Sequence, residues 1–562
     1  MAKKCFQWCV TVSMLIGAAT ASQAAWSTIH NDFFQIDQNG DSVHTRSGCI
    51  RNFNGTYYWY GSANNFSSQM VYSSPDLMHW TNDGVAITAS GTNRLDVLYN
   101  DSTQQYVMFL KYAAFSGSNP SGGNNLGIAT SSTPTGPFTL KTDSLVFGAE
   151  IGDMSVFKDS NGLAYLAFVW DSLPNANSGS ITYHGIAQFT ADYLHLSQKV
   201  FIWDTGWREA PCIMKANGLY YYLSSETMWT DPTSTMYYTA PAIAGPWTKK
   251  MVTMITPGST DSWETQINKI FPIVGTQGTV YMFLGDRWID SNSLRQGGYV
   301  MLPTTFSPKD SPVVNYYQDW DVDLAAGVWR PFALSRDLAL HKTVTASSFY
   351  GTDSASKVTD STTYMNFTSY RWQSAASDTQ WIQVDLGSPM SVNRVILKWD
   401  SLYAKAFQVQ VSTDNSTWST VYSTTAGGRR SVTDQTFAST TARYVRMYAT
   451  QRGNTNGYAL FSFMVLNDSI TTATLPRQGK SPDYSEALLT CNQNTIHYSV
   501  PSGTIVKLEV VDCRGKVMAV LVNGFKNAGD HEAVLPGRLS RGMYMIRLTV
   551  GAKKVATMQV RL

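Results

Sequence analysis

Two carboxylates and one amide stand at matching places in a recurring pattern: Asp153 in "GDMSVFKDSNGLAYL", Glu209 in "REAPCIMKANGLYYYLSS" and Gln266 in "TQINKIFPI". Each opens a short apolar strand. Glu209 is followed by Ala210 and Pro211, and strands disfavour Glu mildly and Pro strongly, so the group belongs at a strand's beginning. The Asn-Gly after it turns the chain and "LYYYLSS" brings it back. A carboxylate at such a strand mouth is either an ion-pair partner, of Arg208 for instance, or an acid. A pair of them suits one chemistry in particular. Inverting hydrolysis of a glycosidic bond takes a carboxylic acid on the leaving oxygen and a second group that activates water on the opposite face. Burial and a like-charged neighbour keep such an acid protonated near neutral pH.

The elements that must position these groups repeat five times between Ser47 and about Val322, at intervals of roughly fifty to sixty residues. A short apolar strand meets a turn and an aromatic strand follows, as in "GCIRNFNGTYYWYGS", "DVLYNDSTQQYVMFLKY" and "KIFPIVGTQGTVYMFLGD". A third strand and a loop complete each unit. Antiparallel units at this spacing predict a five-bladed β-propeller, in which radial packing protects the sheet edges. The starts of the five innermost strands then converge on one end of the channel. They carry Arg46–Cys49, Asn93–Asp96, Asp153, Glu209 and Gln266, so Asp153 and Glu209 from neighbouring blades face one pocket.

Composition leaves room for three or four domains in 562 residues, with 15% charged and 13% aromatic side chains. A net charge of +2 gives no reason to expect nucleic acid or an anionic membrane as partner. Lys3 and Lys4 precede an apolar run that ends in "ASQA", which reads as an export signal over residues 1–24 and predicts a secreted or cell-surface protein. No later run is long and apolar enough to span a bilayer. Cys491 and Cys513 lie in the last domain and are candidates for a bridge, whereas Cys49 and Cys212 read as buried free thiols.

The propeller segment resembles glycoside hydrolase family 43, in particular its exo-β-1,3-galactanase branch, through "GDMSVFKDSNGLAYL", "REAP" and "GDRW". The resemblance implies Glu209 as general acid, Asp153 as the residue that modulates its pKa, and Gln266 as a ligand of water or sugar. The base stays open, because an ordinary amide is a very poor one. Asp286 and Trp288 of "GDRW" are implied pocket residues, with an ion pair to Arg287 as the other reading of Asp286. Three positions depart from the branch: Asn93 in "NRLD" replaces a glutamate, Arg46 stands for a histidine and Gly152 for an arginine. Strand alternation turns Asp96 to the face opposite Asn93. Arg46 and Asn93 are thus expected to line the pocket and to signal a different sugar, a different linkage or lost activity.

Residues 25–335 are assigned to the propeller and 336–468 to a second module. The motifs "TQWIQVDLGSPMSVNRVILKW" and "ARYVRMYATQ" make the latter closely similar to the discoidin, or factor five/eight type C, β-sandwich. That family implies sugar binding through loops, with Tyr350, Tyr370, Arg371, Arg452 and Tyr458 as candidate contacts; rings stack on sugars and Arg satisfies hydroxyls. It also allows a structural Ca²⁺, although no loop here shows a trusted ligand spacing; no other cofactor is expected. A linker, 469–484, precedes a small immunoglobulin-like β-domain, 485–562, similar to C-terminal domains that serve export machinery or surface attachment. The expectation is a secreted glycoside hydrolase, exo-acting and inverting, on β-1,3-galactan or related polysaccharide side chains. The alternatives are an α-L-arabinofuranosidase or β-xylosidase, or a catalytically silent carbohydrate-binding protein.

Overall fold

The computed structural model describes residues 26–468 and 489–561, apart from 64–67, 90–92, 114–123, 171–182, 205–207, 229–230, 250, 289–297, 307–309, 361–369, 493–494, 501–503, 512–516, 527–528, 537–542 and 551–552. The export signal and the linker lie outside these, as does the side-chain packing of Cys491 and Cys513. Five four-stranded antiparallel sheets follow one another in chain order and form the blades of a β-propeller. Their innermost strands are Arg46–Phe53, Asn93–Asn100, Ile151–Lys158, Arg208–Ala216 and Gln266–Val274. Each packs against the next, and the fifth returns to the first, which closes the ring.

Local sequence explains the blade geometry. In blades 1 and 4 the inner strand hands over to the second through Asn54-Gly55 and Asn217-Gly218, with φ of +54° and +89°, and +52° and +79°. Positive φ at both central residues is the signature of a type I′ turn, whose twist matches that of its strands. At the other end, every inner strand carries a bulge. The register shifts between Arg46 and Cys49, Asn93 and Leu95, Ile151 and Met154, Glu209 and Cys212, and Ile267 and Lys269. Ser47, Arg94 and Ala210 sit there with φ near +50°. A bulge inserts a residue, resets the alternation of side chains and re-aims them. All five therefore re-aim side chains at the same end of the channel.

Below that end, the channel is filled by side chains. Asp96 accepts hydrogen bonds from Arg51 at 2.6 Å, from the Val156 N–H at 3.0 Å and from Lys269, joining blades 1, 2, 3 and 5. These two cations hold its carboxyl down at about 2 against burial. Cys49 and Cys212 are buried free thiols, pushed up by burial.

A further three-stranded sheet, Trp26–His30, Asp319–Asp323 and Val328–Pro331, belongs to no blade and carries the second module. The discoidin-like sandwich is built on two long strands, Gln380–Trp399 and Val432–Arg452, that bend at register shifts. Its core includes Trp372, Trp399, Phe407 and Tyr458. Buried ion pairs weld it to the extra sheet. Within the sandwich Arg394 binds Asp434 at 2.6 Å and Asp468 at 2.7 Å; across to the sheet it donates to the Thr28 hydroxyl at 2.6 Å, and Lys398 binds Asp319. The His30 ring lies 2.6 Å from Asp319 and 3.1 Å from Asp434. The C-terminal domain pairs a three-stranded with a four-stranded antiparallel sheet over Ile496, Tyr498, Leu508, Ile546 and Leu548.

Candidate active site

Glu209 lies half-buried at the mouth of the inner strand of blade 4, one residue before the bulge residue Ala210. Asp153 reaches it from blade 3. Asp153 Oδ2 accepts the Ala210 N–H at 3.0 Å, which ties the backbone beside the acid to the neighbouring carboxylate. Burial, and then the charge of Asp153, push Glu209 up to about 7. Asp153 itself is held below its usual range, chiefly by Arg94, against the effect of burial. One carboxyl therefore keeps its proton up to about pH 7 while its neighbour is ionised, the division of labour that acid catalysis requires. Arg208 is not the partner of Glu209; its guanidinium faces Glu226 at 3.7 Å.

Arg94 is the residue that sequence reasoning missed. It is only 5% exposed, its Nε lies 3.1 Å from Asp153 Oδ2, and it donates to Gln266 Oε1. The sequence reading followed strict alternation from Asn93 to Asp96. The bulge between Asn93 and Leu95 breaks that alternation and brings Arg94 into the pocket. Asn93 begins the strand opposite Lys111, and its side chain lies outside the described residues. Asp96 turns away from the pocket into the channel cluster described above.

Gln266 is fully engaged. Its Oε1 accepts from Arg94 and from Trp288 Nε1 at 3.0 Å, and its Nε2 donates to Glu209 Oε1. The amide is thus hydrogen-bonded to the acid itself. Trp288 completes the wall, with the half-buried Arg46 guanidinium 5.9 Å from its ring centre. Asp286, 1% exposed, does not pair with Arg287, which binds Asp32 at 2.7 Å instead. Asp286 Oδ2 accepts the Ser47 N–H at 2.9 Å and Asn268 Nδ2 at 3.3 Å. Burial pushes its carboxyl up to about 6.

The candidate contacts of the sandwich divide sharply. Tyr350 and Tyr370 are 65% and 40% exposed and available to a ligand. Tyr458 is fully buried in the core with its hydroxyl on Asp378, so the sugar contact expected of it is corrected to a packing role. Arg371 is likewise committed, to Asp400 at 2.7 Å, Gln373 at 2.7 Å and Asp353 at 3.4 Å. Arg452 bonds Asp378 at 3.1 Å and the Thr455 carbonyl at 3.1 Å. Among the described residues, no three His, Cys, Asp or Glu side chains cluster to hold a metal ion, and no helix is long and apolar enough to cross a membrane.

Residues 45–301 match the model of glycosyl hydrolases family 43, and residues 343–463 match the F5/8 type C domain. The β-D-galactofuranosidase xynD of Aspergillus niger is 26% identical over 247 residues, covering 39% of this chain and 68% of that protein. An exo-β-1,3-galactanase from Phanerochaete chrysosporium, solved with β-1,3-galactotriose, is similar at 22% identity and a TM-score of 0.47, over 78% of this chain and 100% of its own. A chitosan-binding module from a Paenibacillus chitosanase/glucanase is 45% identical, with a TM-score of 0.22, over 24% of this chain and 98% of its own. The chain is a glycoside hydrolase whose residues 45–301 form a family 43 domain and whose residues 343–463 form an F5/8 type C domain.

Proposed function

We propose that this glycosidase is exo-acting and inverting, and that it removes galactose from β-1,3-galactan or a related plant polysaccharide side chain. The observation that carries the reading is the Glu209–Asp153–Arg94 arrangement, which keeps one carboxyl protonated near neutral pH beside an ionised one. Glu209 protonates the leaving oxygen; Asp153 and Arg94 hold its pKa and position. "REAP" and "GDRW", with the galactoside-cleaving relative, support galactose as the sugar. A furanoside is the second reading, favoured because that relative is named for galactofuranose; it would bring an arabinofuranosyl side chain within range. Proton transfer among carboxyl groups and water needs no cofactor.

In this reading the leader over residues 1–24 exports the protein, and the C-terminal domain, 485–562, engages export machinery or the cell surface. The sandwich offers its exposed Tyr350 and Tyr370 to the polysaccharide and raises the effective concentration of substrate at the propeller. The test is direct. The mature protein is incubated with β-1,3-galactan, arabinan and arabinoxylan, and released sugars are separated by chromatography. Free galactose is expected; arabinose or xylose would move the substrate, and binding without release would leave a carbohydrate-binding protein.

A further inference from the structure

We propose that Trp288 is a positioning residue for the acid: with Arg94 it holds the Gln266 amide in one orientation, and the amide in turn keeps the proton of Glu209 on Oε2. The inference rests on the reading of Glu209 as proton donor and adds how that donor is aimed.

Obligatory donors fix each link. An indole N–H and a guanidinium can only donate, whereas an amide has an accepting oxygen and a donating nitrogen that exchange places when its end turns over. Trp288 Nε1 lies 3.0 Å from Gln266 Oε1, and Arg94 Nη2 donates to the same oxygen. The two donors fill both lone pairs of that oxygen. Turned over, the amide would set its own donors against them and leave several donors unpaired in the pocket wall, which folded proteins avoid.

With its oxygen held there, Gln266 presents Nε2 to Glu209 Oε1. The Met228 backbone N–H points at that oxygen too, at 3.4 Å. In a neutral carboxyl, the oxygen that faces two donors is the carbonyl oxygen, so the proton sits on the other. Oε2 has no hydrogen-bond partner among the described residues and is not sealed in the interior. The oxygen turned to the wall therefore accepts, and the oxygen open to the mouth carries the proton. Burial and the charge of Asp153 keep it there up to about pH 7.

Of the two clamping donors, Trp288 isolates this role. Arg94 also pairs with Asp153, so changing it alters the charge around the acid as well. Without the indole N–H, Gln266 turns over more easily; its oxygen then faces Glu209 Oε1 and draws the proton into the wall. In the productive state the leaving oxygen keeps the electron pair of the bond that breaks and takes the proton from Oε2. The carboxylate left behind keeps both donors on Oε1, which stabilise its charge. The water that bonds to the anomeric carbon gives up the proton that returns Glu209 to its acid form.

The test replaces Trp288 by benzothienylalanine in the full chain. This isostere keeps the fused rings, and with them any stacking on a sugar, but has sulfur where the indole has its N–H. On the polysaccharide that the wild type degrades, kcat should fall about tenfold, the worth of one neutral hydrogen bond, with KM changed by no more than about twofold. On the dinitrophenyl glycoside of the released sugar, whose leaving group needs no proton, the protein should stay within about twofold of wild type. Trp288→Phe, which also lacks the donor, should lose more on the polysaccharide than on the glycoside. Equal losses on the two substrates would reduce Trp288 to packing or sugar stacking and overturn the proposal, as would a wild-type kcat of the isostere on the polysaccharide. Glu209→Gln in the same assays separates the two claims. If it keeps polysaccharide turnover, the acid reading falls and the positioning role with it. If it loses that turnover while the isostere keeps it, the positioning role alone falls.

Discussion

Arg94 and Asp153 form an ion pair beneath the acid, with Arg94 Nε 3.1 Å from Asp153 Oδ2, and the pair acts on Glu209 in opposite directions. The Asp153 charge raises the pKa of Glu209 and the Arg94 charge lowers it; burial, the largest cause, sets the final sense. The arrangement therefore keeps Asp153 ionised without surrendering the proton on Glu209.

Asp153→Asn removes the raising charge and leaves the lowering one. Glu209 then ionises at lower pH, so the alkaline limb of kcat/KM, expected near pH 7, should move down by roughly one to two pH units. A pH–rate series on the variant reads this directly; an unmoved limb would show that Asp153 does not set the acid's pKa.

Arg94→Lys keeps a charge but loses the planar fork that joins Asp153 to Gln266. Activity should fall by about 10- to 100-fold, mainly in kcat, because the fold and the remaining contacts persist while the acid and the amide lose their common clamp. Equal kinetics in Arg94→Lys and the wild type would reduce the guanidinium to a packing role.

Asp96→Asn leaves Arg51 and Lys269 buried in the channel without their shared anion. Removing one partner of a buried pair costs about 3–5 kcal/mol, so the propeller should unfold at distinctly lower denaturant. The same substitution should leave the pH–rate profile in place, since Asp96 faces away from the pocket. Loss of the profile with full stability would contradict that placement.

His30 provides a pH test of the weld between propeller and sandwich. Hydrogen bonds and charges from Asp319 and Asp434 outweigh burial and raise its pKa above 6.5. A raised folded-state pKa contributes stability that is complete below 6.5 and fades as pH rises through the folded value. Thermal scans of the wild type should show this loss above pH 6.5, and His30→Gln should reduce it, leaving only the part due to raised carboxyls such as Glu209. Stability rising across that range would reverse the sign and refute the charged bridge.

The architecture was legible because repetition survives in sequence. Five apolar–turn–aromatic units announce five blades, and Glu209 before a Pro marks a strand mouth without any alignment. What could not be read was whatever depends on a bulge or on a distant partner. Arg94 enters the pocket only because the register shifts after Asn93, and a strict period of two hides it. Arg371 and Tyr458 were read as sugar contacts, since exposed and buried loop residues look alike in sequence; the structure commits one to Asp400 and buries the other. The weld of Lys398 to Asp319 and of His30 to Asp434 joins segments far apart in the chain, which charge counting along the sequence cannot pair. It holds the sandwich against the sheet that adjoins the propeller.

The most direct test of the central claim, that Glu209 is the proton donor, compares Glu209→Gln on two substrates. One is the polysaccharide that the wild type degrades; the other is the matching dinitrophenyl glycoside, whose leaving group needs no proton. The account predicts a loss of about 10³-fold on the polysaccharide and no more than about tenfold on the activated glycoside. Equal losses on both, or wild-type rates on the polysaccharide, would contradict it.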